Sequence, residues 1–317
     1  MIGLEVVYLL MGLMTAGIAL ENFRDRAAPR HLANAVFWGL YAISFLVGTH
    51  LPDLANGILV LGMVLVVSVR GLGRSSTELT TAEARAESAR LLGNRLFIPA
   101  LAIPLLTVLG TLTLKSATLG GRPLVDAKQV TVISLGLSTL VAFLLGLWLL
   151  RPPASAPMRE ARRLMDSVGW AAVLPQMLAA LGAVFALSGV GQVVATLAQR
   201  WLPLGTPLSA VIAYTVGMAV FTAIMGNAFA AFPVMTAGIG LPLVVHQFGG
   251  NVVAVAAIGM LSGYCGTLLT PMAANFNIVP AALLELPSEN AVIRVQIPTG
   301  VILLVANTAL MYFVAFR

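Results

Sequence analysis

Five apolar runs separated by short charged loops organise the first half of the chain, near residues 2–20, 32–49, 54–69, 96–114 and 130–150. Each approaches the ~20 residues that a helix needs to cross a bilayer. The third is short and must tilt little or thin the membrane around it. The first lacks a basic leader, carries Glu5 and shows no cleavage site before Glu21-Asn22, so it reads as a retained span. The Pro-rich stretch RPPASAP at 151–157 ends this regular pattern. It predicts an N-terminal membrane half over 1–150, a cytoplasmic linker over 151–167 and a C-terminal membrane half over 168–317.

The C-terminal half is less regular. A span near 168–187 contains Pro175-Gln176 and is interrupted at Ser188-Gly189. A short amphipathic stretch then ends at Arg200-Trp201, and Pro203, Gly205 and Pro207 form a turn. Further spans are expected at 208–225, 251–268 and 297–316, with a short polar-ended helix at 281–290. The segment 226–247 looks too short and too interrupted for a simple span with two loops. Between Arg200 and Glu285 there is no Asp, Glu, Lys or Arg, yet Gly226-Asn227, Phe232-Pro233 and Thr270-Pro271 break the run.

Composition fixes the class. Of 317 residues 59% are hydrophobic and 9% charged, against roughly 25% charged in soluble domains. The expectation is an all-α polytopic membrane protein with about nine or ten transmembrane or re-entrant helical segments and discontinuous helices in its C-terminal half. The net charge of +6 sits in short loops, where it sets topology and gives no reason to expect a nucleic-acid partner. Three loops carry Arg24, Arg26 and Arg30; Arg70, Arg74, Arg85, Arg90 and Arg95; and Arg151, Arg159, Arg162 and Arg163. The alternate loops carry only Lys115, Arg122 and Lys128. This asymmetry predicts an outside N-terminus with the three Arg-rich loops in the cytoplasm. Thr80 or Thr81 is a candidate cap for a short surface helix running to Arg90.

The chemistry-bearing residues fall in the charge-free region. Gly226 readily ends a helix in a left-handed conformation, and Asn227 can cap the next one. A helix starting at membrane depth points free N–H groups and its positive dipole end into a cavity, which suits a carboxylate without a buried Lys or Arg. Pro271 removes a donor, so a carbonyl near Thr267 loses its partner. Thr267, Thr270, Asn275 and Asn277 add uncharged oxygens, which suit a substrate or Na⁺. We therefore expect Gly226, Asn227, Thr270, Pro271, Asn275 and Asn277 at a substrate site, and Thr267, Thr270 and Asn275 at an ion site. Gly259, Ser262, Gly263 and Gly266 form a small-residue face for helix contact.

Other candidates are weaker. Cys265 is a lone thiol, which excludes an internal disulfide, and His31, His50 and His246 show no ligand spacing. Glu5, Glu285 and His246 are the titratable groups that proton coupling would use, and the oxygen-rich break favours Na⁺ over them. No HExxH, GxSxG, Walker A or CxxC pattern occurs, so no enzyme activity, cofactor or ATP-driven pumping by this chain alone is expected.

GNAFAAFPVMTAGIG (226–240) and GYCGTLLTPMAANFNIVPAALLEL (263–286) resemble a bacterial membrane family of unknown function, family 979. The resemblance covers nearly the whole chain. It implies a permease subunit working with a smaller companion membrane protein, and, through a frequent pyroglutamyl-peptidase neighbour, a substrate such as 5-oxoproline. More distantly, the two breaks resemble the ion-transporter superfamily, which places substrate and Na⁺ at paired re-entrant hairpins. The first half of this chain has no matching break, which implies a companion chain or a second copy at the site. The expected function is thus a secondary transporter subunit for a small organic anion, Na⁺-coupled. A non-transporting scaffold and a channel are the competing expectations.

Overall fold

Helices in this chain start and stop where the sequence supplies caps and breakers. The computed structural model describes residues 3–73, 81–119, 122–201 and 205–316. They form two compact units, one ending at Asp166 and one starting at Ser167. The protein is all-α and polytopic, with nine helical segments long and apolar enough to cross a membrane among the described residues.

The first unit contains α1 (Glu5–Arg24), α2 (His31–Val47), α3 (Asp53–Arg70), α4 (Ala82–Leu92), α5 (Phe97–Leu114), α6 (Val130–Leu150) and all but the last two residues of α7 (Ala156–Val168). Glycines set the close contacts. A Cβ on Gly12 of α1 would lie 2.5 Å from Leu46 of α2, and one on Gly110 of α5 would lie 3.0 Å from Ser134 of α6. In lipid, hydroxyls need an internal partner. Thr107, Thr111, Ser138 and Thr139 each donate to the carbonyl four residues earlier, at 2.6–2.8 Å. Leu54, Leu61 and Leu65 of α3 and Leu101, Leu105 and Leu112 of α5 face outward, as a lipid-facing surface would. Thr81 caps α4, accepting from Ala84 N at 3.2 Å; Thr80 lies outside the described residues.

Residues 156–168 are helical, and one face of that helix is buried. Arg162 and Asp166, one turn apart, are 4% and 3% exposed. The Arg162 guanidinium donates to Asp25 Oδ2 at 2.7 Å and to the Glu21 carbonyl at 3.1 Å. Asp166 Oδ1 accepts from Trp38 Nε1 at 2.8 Å and from Asn22 Nδ2 at 3.1 Å. With five charged side chains in thirteen residues, α7 reads as a surface helix pinned to the end of α1 and to Trp38 in the middle of α2.

The second unit contains α8 (Leu174–Leu187), α9 (Val190–Trp201), α10 (Pro207–Met225), α11 (Ala228–Met235), α12 (Val252–Thr267), α13 (Ile278–Leu283) and α14 (Ala291–Ala315). α10 and α12 run parallel. Tyr214 lies against Gly259, Met218 against Gly263 and the Ala219 carbonyl against Gly266, so the small-residue face serves helix contact as expected. α14 runs antiparallel to α12: Asn251 N donates to Ala315 O at 2.7 Å, and Gly300 lies against Cys265 and Leu268.

One expectation fails here. Phe232-Pro233 does not break the chain, and 226–247 is not too short for a span. Ala228–Met235 continues without interruption into a π-helix over Thr236–Gln247. Pro233 lacks a donor for the preceding turn, and the helix widens beyond it instead of ending. The wider turn also accommodates Pro242.

Candidate functional site

α10 ends because Gly226 adopts φ +73°, with its N–H donating to the Thr222 carbonyl at 2.7 Å. Asn227 then turns extended and caps α11: its Oδ1 accepts from Phe229 N at 2.8 Å, and its carbonyl accepts from Ala231 N. A cap satisfies only part of a helix start, where four N–H groups lack intrahelical acceptors. α11 therefore begins with donors directed past Asn227.

The second break follows α12. Residues 268–277 make no regular helix before α13 begins at Ile278. Asn277, fully buried, reaches back and donates from Nδ2 to Thr267 O at 2.8 Å and Thr270 O at 2.7 Å. The carbonyl that Pro271 was expected to free is thus taken up by Asn277. The Thr267 hydroxyl donates to Tyr264 O at 2.6 Å, and Thr270 Oγ1 accepts from Met272 N at 3.2 Å. Much of the uncharged oxygen set holds the break in shape.

The two breaks touch. A Cβ on Gly226 would sit 2.5 Å from the Met272 carbonyl oxygen and 2.7 Å from its carbon. Beside this contact lies a cavity of about 190 Å³. The first break lines it with Gly226, Asn227, Ala228 and Phe229, and the second with Met272, Ala273, Ala274, Asn275 and Phe276. Tyr264 and Thr267 of α12 and Leu174, Pro175 and Leu178 of α8 complete the wall. Phe229 and Tyr264 meet edge to face at 6.0 Å. No lining residue is charged, and the volume is below the ~300–1,000 Å³ of pockets for drug-sized ligands.

Of the expected site residues, Gly226, Asn227, Thr267 and Asn275 line this cavity, whereas Thr270, Pro271 and Asn277 do not. Thr270 and Asn277 are buried behind it as framework. The sequence reading missed Tyr264, Met272 and the α8 wall. Pro175 marked a local disturbance, but nothing in Leu174 or Leu178 signalled that α8 would face the breaks.

Depth follows from α14. Its 25 residues span ~37 Å at 1.5 Å per residue, and the tenth, Gly300, lies beside the end of α12. The cavity is therefore level with a point ~14 Å from the start of α14 and ~22 Å from its end. Arg294 lies between that point and the helix start. The site sits within the span of the helix, about 5 Å from its midpoint on the side of its start.

No curated protein and no solved structure matches this chain. The model of one family, described as a protein of unknown function (DUF979), matches residues 5–316, and the chain belongs to that family.

Proposed function

We propose that this chain is a subunit of a secondary active transporter for a small organic anion, 5-oxoproline or a related carboxylate. The observation that carries the reading is the meeting of two helix breaks at one uncharged cavity within a membrane-spanning bundle. A structural kink alone gives no reason for two breaks to share a cavity. The start of α11 faces it, and backbone N–H groups at the positive end of a helix hold a carboxylate without a buried cation. Asn275, exposed on the cavity wall, adds a side-chain amide.

The orientation follows from charge. With the Arg-rich loops in the cytoplasm, α7 lies on that side, and α8 begins there. α8 and α9 run in the same direction as α11 and its π-helical continuation: Gly182 lies against Ala230, and Gly191 against Val234 and Gly238. The first residues of α8 line the cavity. The cavity then lies on the cytoplasmic side of the midplane, and we read its access as being from inside.

Uptake into vesicles tests the reading, using the chain alone and with its companion membrane subunit, across a panel of small acids under imposed Na⁺ or H⁺ gradients. Saturable uptake that Asn227→Ala and Asn275→Ala abolish, with folding intact, supports it. Unsaturable, gradient-insensitive flux makes the protein a channel. No flux with any acid under either gradient leaves a scaffold.

A further inference from the structure

Arg162 and Asp166 balance in charge on the buried face of α7, and Asp25, at the C-cap of α1 and a quarter exposed, adds a second acid beside them. Two acids, Asp25 and Asp166, lie on either side of one arginine, Arg162. That arginine makes its short contact with Asp25, at 2.7 Å. Asp166 receives both of its side-chain donors, from Asn22 and Trp38, on Oδ1. Asn34 binds Gly73 through its oxygen and one N–H, at 2.9 and 2.7 Å, and its amide also lies near the carboxyl, where it favours the ionised form. Asp166 Oδ2 is shut away from solvent with no donor in hydrogen-bonding geometry.

Local fields make an ionised form harder to hold. Asp166 lies in the last turn of α7, and Asn22, which binds it, lies in the last turn of α1. Both ends carry the negative pole of a helix dipole, which disfavours a carboxylate. Burial is the largest influence and acts in the same direction, against the donors Trp38, Asn22 and Asn34 and the charge of Arg162. The titratable groups nearest this joint on the surrounding elements are Glu21 and Arg24 of α1, Asp25 and Arg26 just after it, Arg30, His31 and Tyr41 at and along α2, and Arg159, Glu160, Arg162 and Arg163 of α7. Arg163 pairs with Glu160, and Arg30 turns to the Leu72 carbonyl. Arg162 is the cation that acts on the carboxyl, and it is shared with Asp25.

We propose that Asp166 is a proton-binding site, neutral while α7 is seated on α1 and α2 and releasing its proton to water when α7 lifts away. One proton on Oδ2 removes the surplus charge. By reciprocity, whatever docking does for the proton, the proton does for docking. The site is independent of the cavity and needs no transported solute.

Two readouts on the full chain in nanodiscs test it. Infrared spectra at neutral pH should show a protonated-carboxyl band that Asp166→Asn removes. Hydrogen exchange should show the protection factors of α7 falling by up to about tenfold per pH unit as pH rises from where a free carboxyl ionises to where the docked one does, then levelling off, and staying level throughout in Asp166→Asn. A wild-type spectrum without that band, or α7 protection that does not change with pH, overturns the proposal. If Asp166→Asn does not fold, the Trp38 indole N–H resonance of the wild type decides. A shift over about pH 5 to 9, the range a perturbed carboxyl spans, supports the site, and a constant position overturns it.

Discussion

The first unit buries charged side chains; the second buries backbone. In the first, an arginine and two aspartates close the contact of α7 with the end of α1 and the middle of α2, and the spans themselves are plain hairpins. In the second, no Asp, Glu, Lys or Arg lies between Arg200 and Glu285, and the polar groups at the breaks include carbonyls and N–H groups exposed by helix ends. The difference shows two ways of placing polarity near lipid. A charge cluster is strong but must be paired, which suits a fixed joint. A helix end offers several weaker partners and can exchange them for a solute.

The largest expected effect breaks the first side of this contrast. Arg162→Met leaves Asp25, a quarter exposed, without its buried cation and should lower stability by somewhat less than the ~3–5 kcal/mol that loss of one member of a fully buried pair costs. A thermal melt of the purified chain measures it, and a loss under ~1 kcal/mol would mean the joint behaves as a surface ion pair. Next comes Gly266→Val. Gly266 lies against the Ala219 carbonyl, so a branched side chain must push α10 and α12 apart. Overpacking of this kind costs about 1–3 kcal/mol, and the separation should also close or distort the nearby cavity. The same melt, read beside solute binding, separates the two consequences.

Asn277→Ala probes the framework of the second unit. It removes the amide that holds Thr267 O and Thr270 O, and leaves buried carbonyls unpaired at ~1–3 kcal/mol. The melting temperature should fall and the 268–277 segment should gain hydrogen exchange. A variant of unchanged stability would return those carbonyls to the list of free ligands.

Much of this was legible in the sequence, for local reasons. The first-unit spans follow from apolar runs bounded by Arg-rich loops, and the breaks at Gly226-Asn227 and Thr270-Pro271 from residues that end or cap helices. Phe232-Pro233 misled because a proline was read as a stop, while a widened helix absorbed it. The joint of Arg162 and Asp166 was invisible because its partners lie 128–144 residues away in sequence. Nor could the sequence divide the asparagines by role. Asn227 caps a helix, Asn275 lines a cavity and Asn277 ties a loop, and only packing distinguishes them.

That division gives the smallest effect on stability and the sharpest test of function. Asn275 is exposed on the cavity wall, two residues from the fully buried Asn277. Replacing it by Ala removes a polar group with no framework duty, so stability should change by no more than ~0.5 kcal/mol, as at ordinary surface positions. If the cavity holds a carboxylate, uptake should be lost nonetheless, the reverse of what Asn277→Ala does to folding. A cysteine at 275, with Cys265 replaced by Ala, reads the side of access. A membrane-impermeant maleimide should label it in inside-out vesicles but not in right-side-out ones, with protection by the transported acid. Labelling from the outer face would reverse the assignment of the cavity to the cytoplasmic side. Asn275→Ala with full uptake would reduce the second break to a packing feature and leave the contrast between the units one of architecture alone.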